Sequence, residues 1–263
     1  MGDLRLDETY PRSQAMDPSK EKKIRLDQLV VQRGFAESRE KAKAMIMAGV
    51  VEVDHLRVDK PGHLTSSSSH LSLKQTYPPY VSRGGIKLEA ALDQLAVDVK
   101  GKVILDVGSS TGGFTDCLLQ RGAKKVISVD VGYGQLHWKL RHDPRVVVLE
   151  KTNIRHVKPG DLGETMDGAV IDVSFISLRL VVPVVSLCLR EEAFIISLIK
   201  PQFEVGKGQV GKGGVVRDPA LHQQVISQLG RFFESVGWNV AGCIVSPLLG
   251  PKGNKEFLMH LNR

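Results

Sequence analysis

The segment Asp106-Val-Gly-Ser-Ser-Thr-Gly-Gly-Phe-Thr115 constrains this chain more than any other. The apolar run Val103-Ile-Leu105 leads into it, and a helical pattern over 114–121 leads out. A strand that turns through glycines into a helix opens a βα unit, and the glycines let a ligand approach the backbone. Beyond residue 100 the same rhythm continues. Apolar runs at 103–106, 126–130, 146–149, 168–172, 194–199, 239–245 and 256–260 read as seven strands, most of them separated by helical patterns. Such alternation predicts an α/β, Rossmann-like domain with a mainly parallel seven-stranded sheet and helices on both faces. The last two strands have no helix between them, so the final one is expected to run antiparallel.

The composition of the turn narrows the ligand. It is not a P-loop, because Phe114 and Thr115 stand where a Lys and a Ser/Thr would hold phosphate and magnesium. It is a poor dinucleotide site, because Ser110 replaces the glycine that a pyrophosphate needs. Asp106 before the turn suits a ligand with a cationic amino group. Asp130 ends the next strand, where a carboxylate can accept hydrogen bonds from a ribose diol. Both acids tolerate S-adenosylmethionine, which carries a sulfonium and an ammonium. Four further charges surround this frame: Lys87, Asp172, Lys200 and Glu256. Asp172 and Lys200 fall just past strand ends, the edge at which open α/β sheets bind ligands.

A second unit precedes this domain. Residues 1–21 are polar and aperiodic and read as a flexible tail. Residues 22–76 form a small α+β module, with helices at 24–32 and 38–48 and strands at 50–54 and 71–73. Ser38 is a good N-cap, and Gly34 and Gly49 are helix stops. A serine run at 66–69 reads as a turn. Between residues 20 and 75 there are 11 Lys/Arg against 7 Asp/Glu, a net of +4. That bias, within a chain of formal net charge +7, points to a polyanion. Arg25, Arg39, Lys41 and Lys43 are the expected phosphate contacts. Residues 77–81 form a stiff Tyr-Pro-Pro-Tyr linker, and the larger domain spans 82–263.

The remaining composition excludes other classes. The three cysteines, Cys117, Cys188 and Cys243, show no metal-ligand spacing and read as small core residues of a reducing compartment. No metal site is expected. The N-terminus has no apolar leader, and the longest apolar stretch, 180–189, contains Pro183 and reads as a buried helix. A cytoplasmic protein without a membrane partner is expected. A monomer is favoured. His137 and Trp138 fall in a helical stretch and read as packing residues.

Several longer motifs bear a resemblance. Ser82-Arg-Gly-Gly-Ile-Lys-Leu, the Asp106 turn, Asp172-Val-Ser-Phe175, Lys200-Pro-Gln-Phe-Glu204, Gly211-Lys-Gly-Gly-Val-Val-Arg-Asp218 and Gly253-Asn-Lys-Glu-Phe257 strongly resemble the TlyA family. Arg25-Leu-Asp-Gln-Leu29 and Ser38-Arg-Glu-Lys-Ala42 match its RNA-binding module, which is like that of ribosomal protein S-four. The linker departs from the family's more usual Arg-x-Trp. The resemblance implies an FtsJ-like, S-adenosylmethionine-dependent 2′-O-methyltransferase acting on ribosomal RNA or a ribosomal subunit, at a cytidine.

It also implies roles. Lys87, Asp172, Lys200 and Glu256 look like the family's catalytic tetrad. Asp106, Gly108, Asp130 and Asn153 look like cofactor contacts, joined by Ser109, Ser110, Gly112, Gly113 and Phe114 of the turn. Arg83, Phe175, Lys207, Lys212 and Arg217 are expected to meet RNA. Phe175 is placed to stack on a flipped base, and the glycine-rich 206–214 loop to close over a backbone. Shorter family members methylate large-subunit RNA only. The seven residues after Glu256 leave no room for a C-terminal helix, so large-subunit RNA is the expected substrate. Two alternatives are a non-catalytic ribosome-assembly factor and a membrane-active hemolysin.

Overall fold

A computed structural model describes residues 23–73, 79–206 and 208–263. The expected tail (1–21), residues 77 and 78 of the linker, and Lys207 lie outside them. The chain divides into two compact units between Thr76 and Tyr77.

The first unit is built from β1 (Lys23–Arg25), α1 (Leu26–Gln32), α2 (Arg39–Met47), β2 (Val51–Val53), β3 (Leu56–Arg57), β4 (Leu64–Ser66) and β5 (Leu71–Leu73). Leu26, Leu29 and Val30 of α1 pack on Ala42 and Ile46 of α2 and on Val51, Val53 and Leu71. Ser38 caps α2 by accepting from Lys41 N. The helix expected to begin at residue 24 begins at Leu26, because Ile24 is drawn into an antiparallel pair with Thr65. Ser66 likewise ends a strand before the turn begins.

The second unit contains α3 (Gly84–Gln94), β6 (Val103–Val107), α4 (Gly113–Gln120), β7 (Lys125–Val129), α5 (Trp138–Arg141), β8 (Val146–Leu149), β9 (Met166–Ile171), α6 (Leu178–Ser186), β10 (Leu189–Ile199), α7 (Pro219–Ser235), β11 (Asn239–Val245) and β12 (Phe257–Asn262). The sheet order is β11-β12-β10-β9-β6-β7-β8. Strands β6 to β10 pair in parallel, and β12 lies antiparallel between β10 and β11. The antiparallel final strand was expected; its insertion between two earlier strands was not.

Both faces of the sheet are covered, which is why its strands read as unbroken apolar runs. Side chains alternate along each strand. Val103, Leu105 and Val107 join one core with α6 and α7, whereas Ile104 joins the other with α3 and α4. Trp238 is fully buried in the first core, and its indole N–H donates to Ser186 Oγ at 2.9 Å. Replacing such a residue with alanine costs about 3–5 kcal/mol.

Three packing expectations need correction. Cys243 is exposed, because β11 is an edge strand whose outer positions face solvent. Leu180 and Leu187 are exposed at the two ends of the α6 region, so that helix buries only one side. Trp138 is largely exposed, since Leu136 and Leu140 bury this segment in its place.

Order reverses beside β6: β7 and β8 extend to one side, β9 and β10 to the other. The crevice beyond the carboxyl ends of β6 and β9 is therefore where a ligand belongs.

Candidate active site

The turn after β6 is shaped by contacts that exclude side chains. Gly108 has φ +84°, and a Cβ there would meet the Asp172 carbonyl oxygen at 2.4 Å. Its N–H donates to Val129 O at 2.8 Å, while Asp172 N donates to Val107 O at 2.9 Å. The tips of β6, β7 and β9 are thus tied together. Gly112 has φ +95° and precedes α4, and a Cβ there would strike Leu140 at 2.3 Å. Gly112 therefore serves the turn and its packing.

Two hollows flank this turn. The larger, about 950 Å³, is lined by Gly108, Ser110, Asp130, Val131, Gln135, Asn153, Asp172, Ser174, Phe175 and Phe203, among others. The smaller, about 360 Å³, is lined by Ser82, Arg83, Lys87, Gly108, Ser109, Ser110, Gly113, Phe114, Asp172 and Lys252, among others. Gly108, Ser110 and Asp172 belong to both, so they form the wall where the hollows meet.

Asp130 faces the larger hollow. Its Oδ2 accepts from Ser110 N at 2.8 Å and its Oδ1 from Gly132 N at 2.7 Å. A carboxylate has about four acceptor sites, so capacity remains on each oxygen. Asn153 lines the same hollow; its Oδ1 caps the following turn by accepting from Arg155 N at 3.1 Å. Asp106 departs from expectation. It is fully buried and lines neither hollow. The end of β6 turns its side chain beneath α4, where Oδ2 accepts from the Thr115 hydroxyl at 2.6 Å. Burial raises its carboxyl to about 7.

The four charged residues sort into two ion pairs. Lys200 follows β10 and Asp172 follows β9, and Lys200 Nζ lies 2.6 Å from Asp172 Oδ1. The same ammonium donates to Ser174 Oγ at 2.9 Å. Lys87 comes from α3 and Glu256 from the residue before β12, with Nζ and Oε2 2.5 Å apart. The Lys87 side chain is 11% exposed and that of Glu256 is 0%. Glu256 packs closely over Gly250; a Cβ there would come within 1.9 Å of Oε1, so a side chain at 250 would have to displace the carboxylate.

Three supporting residues escaped sequence reasoning, though each lies in a quoted motif. Ser174 holds Lys200. Glu204 accepts from Ser177 Oγ at 2.6 Å and Leu178 N at 2.8 Å, fixing the start of α6 beside Phe175. Burial pushes its carboxyl up, against those hydrogen bonds. Asn254 is buried, and its side chain bonds Val216 N, Gly214 O and Pro251 O at 3.1, 3.0 and 3.2 Å.

The expected RNA contacts behave differently from one another. Phe175 is 90% exposed with φ +62°, its ring 4.9 Å from that of Phe203 on the rim of the larger hollow. Arg83 lines the smaller hollow and donates to Leu249 O at 3.4 Å. Lys212 and Arg217 are exposed. In the first unit, Arg25 and Arg39 both bind the buried Asp27 carboxylate, at 3.1 and 2.8 Å. The Arg25 hydrogen bonds foremost hold that carboxyl down at about 2, with Arg39 adding to them. Lys41 pairs with Glu37 and Lys43 with Glu40. All four of the phosphate contacts expected in this unit therefore sit beside a carboxylate.

A mainly parallel sheet reversing at a glycine turn, with a carboxylate at the next strand end and two lysine–carboxylate pairs, has the architecture of an α/β enzyme domain. An FtsJ-like methyltransferase model matches residues 80–263, and an S4 domain model matches residues 24–67. A Bacillus subtilis protein named as an rRNA methyltransferase, YqxC, is 52% identical over 242 residues, 92% of this chain and 86% of that one. TlyA of Mycobacterium tuberculosis, named a 16S/23S rRNA (cytidine-2′-O)-methyltransferase, is 47% identical over 241 residues, 91% of this chain and 90% of that one. A solved hemolysin-named structure from Streptococcus thermophilus matches with TM-score 0.71 and 44% identity, covering 92% of this chain and 88% of that chain. The chain belongs to the TlyA family of FtsJ-like methyltransferases that carry an S4 domain. Among the described residues no helix is long and apolar enough to cross a membrane.

Proposed function

We propose that this protein transfers a methyl group from S-adenosylmethionine to a cytidine ribose 2′-hydroxyl of ribosomal RNA, with large-subunit RNA as substrate. The observation that carries the reading is the meeting of the two hollows at Gly108, Ser110 and Asp172, with Asp172 of one ion pair on that wall and Lys87 of the other lining the smaller hollow. The substrate class follows the names of the relatives, in which 23S rRNA and the 2′-oxygen appear.

The donor set fits the cofactor. The larger hollow is within the usual range for small-ligand sites. Asp130 retains acceptor capacity for a ribose diol, and Asn153 lies on the same wall. The smaller hollow offers Ser82 and Arg83 to a carboxylate, near the N-terminal ends of α3 and α4. S-adenosylmethionine supplies an electrophilic methyl on a sulfonium, so the protein's task is alignment and proton removal.

Oxygen–carbon bond formation and carbon–sulfur cleavage require the 2′-oxygen, methyl and sulfur in line. Fixing that geometry contributes several kcal/mol. Lys200, held by Asp172 and Ser174, stands at the 2′-oxygen, and the hydroxyl proton leaves through the Lys200–Asp172 pair, an effect of about 100- to 10,000-fold. Lys87, fixed by Glu256, holds the adjoining phosphate. Phe175 stacks on the displaced base. The S4 domain, with Lys212 and Arg217 of the second unit, supplies contacts to the RNA backbone.

The deciding experiment incubates the full chain with labelled cofactor and, separately, unmodified large and small ribosomal subunits, then maps 2′-O-methyl groups. Label in large-subunit RNA at a cytidine ribose is expected. Absence of label in both RNAs removes the activity, and label in small-subunit RNA overturns the large-subunit assignment.

A further inference from the structure

Among the described residues three aromatic side chains stand largely exposed: Phe175 at 90%, and Tyr133 and Trp138 at 71% each. Phe175 borders the larger hollow and already has a role in the proposed reaction. The other two lie five residues apart on the segment that follows Asp130. Val131 and Gln135 of that segment line the same hollow. The two rings stand outside the hollow's lining, on the segment that forms part of its wall.

The segment is fixed rather than slack. Leu136 and Leu140 are buried beneath it. Gly134 N donates to Glu150 Oε1 at 2.9 Å, and Arg141 binds the same oxygen at 2.5 Å. Lys151 N donates to Gly132 O at 2.9 Å, and His137 N to Thr111 O at 3.2 Å. With the leucines doing the packing, the exposed rings contribute little to the core.

The surroundings specify a partner. The Trp138 ring lies 5.8 Å from that of His137 and 6.5 Å from that of His142. Lys151 Nζ stands 4.4 Å over the Tyr133 ring. The nearby carboxylates Asp116, Asp143 and Glu150 are each taken by a cation: Lys139 at 3.6 Å, Arg145 at 2.7 Å and Arg141 at 2.5 Å. Lys151 has no acidic partner among the described residues. Aromatic faces beside such a cation, with these three acids neutralised and Asp130 turned to the hollow, match unpaired nucleotides: bases stack on the rings and phosphates meet the positive charge. A continuous duplex keeps its bases stacked on one another and offers no base face to such rings.

We infer that Trp138 and Tyr133 form a stacking platform for unpaired nucleotides of the RNA substrate near the one that is methylated. The inference rests on the RNA methyltransferase reading above.

The chain has two tryptophans, and Trp238 is only 1% exposed. Changes in tryptophan emission on adding RNA therefore report on Trp138. A random-sequence single-stranded oligoribonucleotide is titrated into the full chain, and the same RNA as a perfect duplex is the comparison. The single strand is expected to quench emission strongly and the duplex weakly. Trp138→Phe is expected to abolish the quenching while keeping most RNA affinity, because a ring remains. Trp138→Ala is expected to raise the KM for unmodified ribosomal RNA roughly five- to a hundredfold, with kcat and cofactor affinity unchanged. Cofactor affinity also checks that the variant is folded.

Quenching that persists in Trp138→Phe overturns the platform. An unchanged KM in Trp138→Ala, with the wild type active on ribosomal RNA, overturns it too and leaves the methyltransferase reading standing. Emission that responds to the duplex as strongly as to the single strand overturns it as well. A wild type that methylates no ribosomal RNA removes both the platform and the reading beneath it.

Discussion

Lys87 and Glu256 are 169 residues apart in the chain, and their side chains meet at 2.5 Å with Glu256 wholly buried. Removing one member of a buried pair leaves the other charge uncompensated, at a typical cost of about 3–5 kcal/mol. Lys87→Ala is therefore expected to lower the melting temperature as well as activity. The double variant Lys87→Ala/Glu256→Gln should recover part of that stability, because no buried carboxylate is left alone, yet stay inactive. Thermal melts of the two single variants and the double decide this. Strictly additive losses would mean the residues do not act as a pair.

The Lys200–Asp172 pair makes a separate prediction, because Lys200 is also held by Ser174. Lys200→Ala is expected to abolish methyl transfer while cofactor affinity stays near wild type. Ser174→Ala, which removes one hydrogen bond of roughly 0.5–1.5 kcal/mol, should slow transfer by about tenfold or less. Single-turnover rates beside calorimetric cofactor binding separate the two effects. Normal transfer by Lys200→Ala would take Lys200 away from the reacting oxygen.

The sequence disclosed the elements that position this site better than it disclosed the partnerships within it. Glycines between an apolar strand and a helix mark a turn whatever follows, and Asp172 and Lys200 are visible as charges ending apolar runs. Nothing local shows that Glu256 takes Lys87 rather than Lys200, since that depends on β12 entering the sheet between β10 and β11. The burial of Asp106 is hidden for a related reason: whether an acid at a strand end faces a ligand or a hydroxyl is set by the helix folding over it. In the first unit the charge count was legible and Arg25 meets Asp27 from two residues away, but the capture of Arg39 by Asp27 depends on α1 and α2 packing together.

Asp106 predicts a pH dependence of stability. Burial raises its carboxyl from 3.8 to about 7, so the folded state binds this proton more tightly than the unfolded state does. Its contribution is fully present below about pH 4 and declines as pH rises towards 7, then levels. Asp106→Asn cannot ionise and should lose that decline. The stability of the variant relative to wild type should therefore grow between pH 4 and 7, by up to about 4 kcal/mol. Denaturant titrations across that interval measure it. A difference that stays flat with pH would mean that Asp106 titrates near its ordinary value in the fold.

Asn254 ties two otherwise separate parts of the site. Its Oδ1 accepts from Val216 N, and its Nδ2 donates to Gly214 O and Pro251 O. It thereby joins the glycine-rich loop that carries Lys212 to the turn that leads into Glu256. Asn254→Ala removes all three bonds and strands the buried Val216 N–H, costing about 1–3 kcal/mol. Asn254→Asp keeps the acceptor but sets a buried carboxylate against the Gly214 and Pro251 carbonyl oxygens, so its defect should be the larger. Both variants are expected to raise the KM for RNA and to speed proteolytic cleavage within 206–214. Cofactor affinity should stay near wild type, because Asn254 lines neither hollow. Limited proteolysis run beside methyl-transfer kinetics provides the check. If cleavage accelerates while the KM is unchanged, the loop's position matters to the fold and not to capture of the substrate.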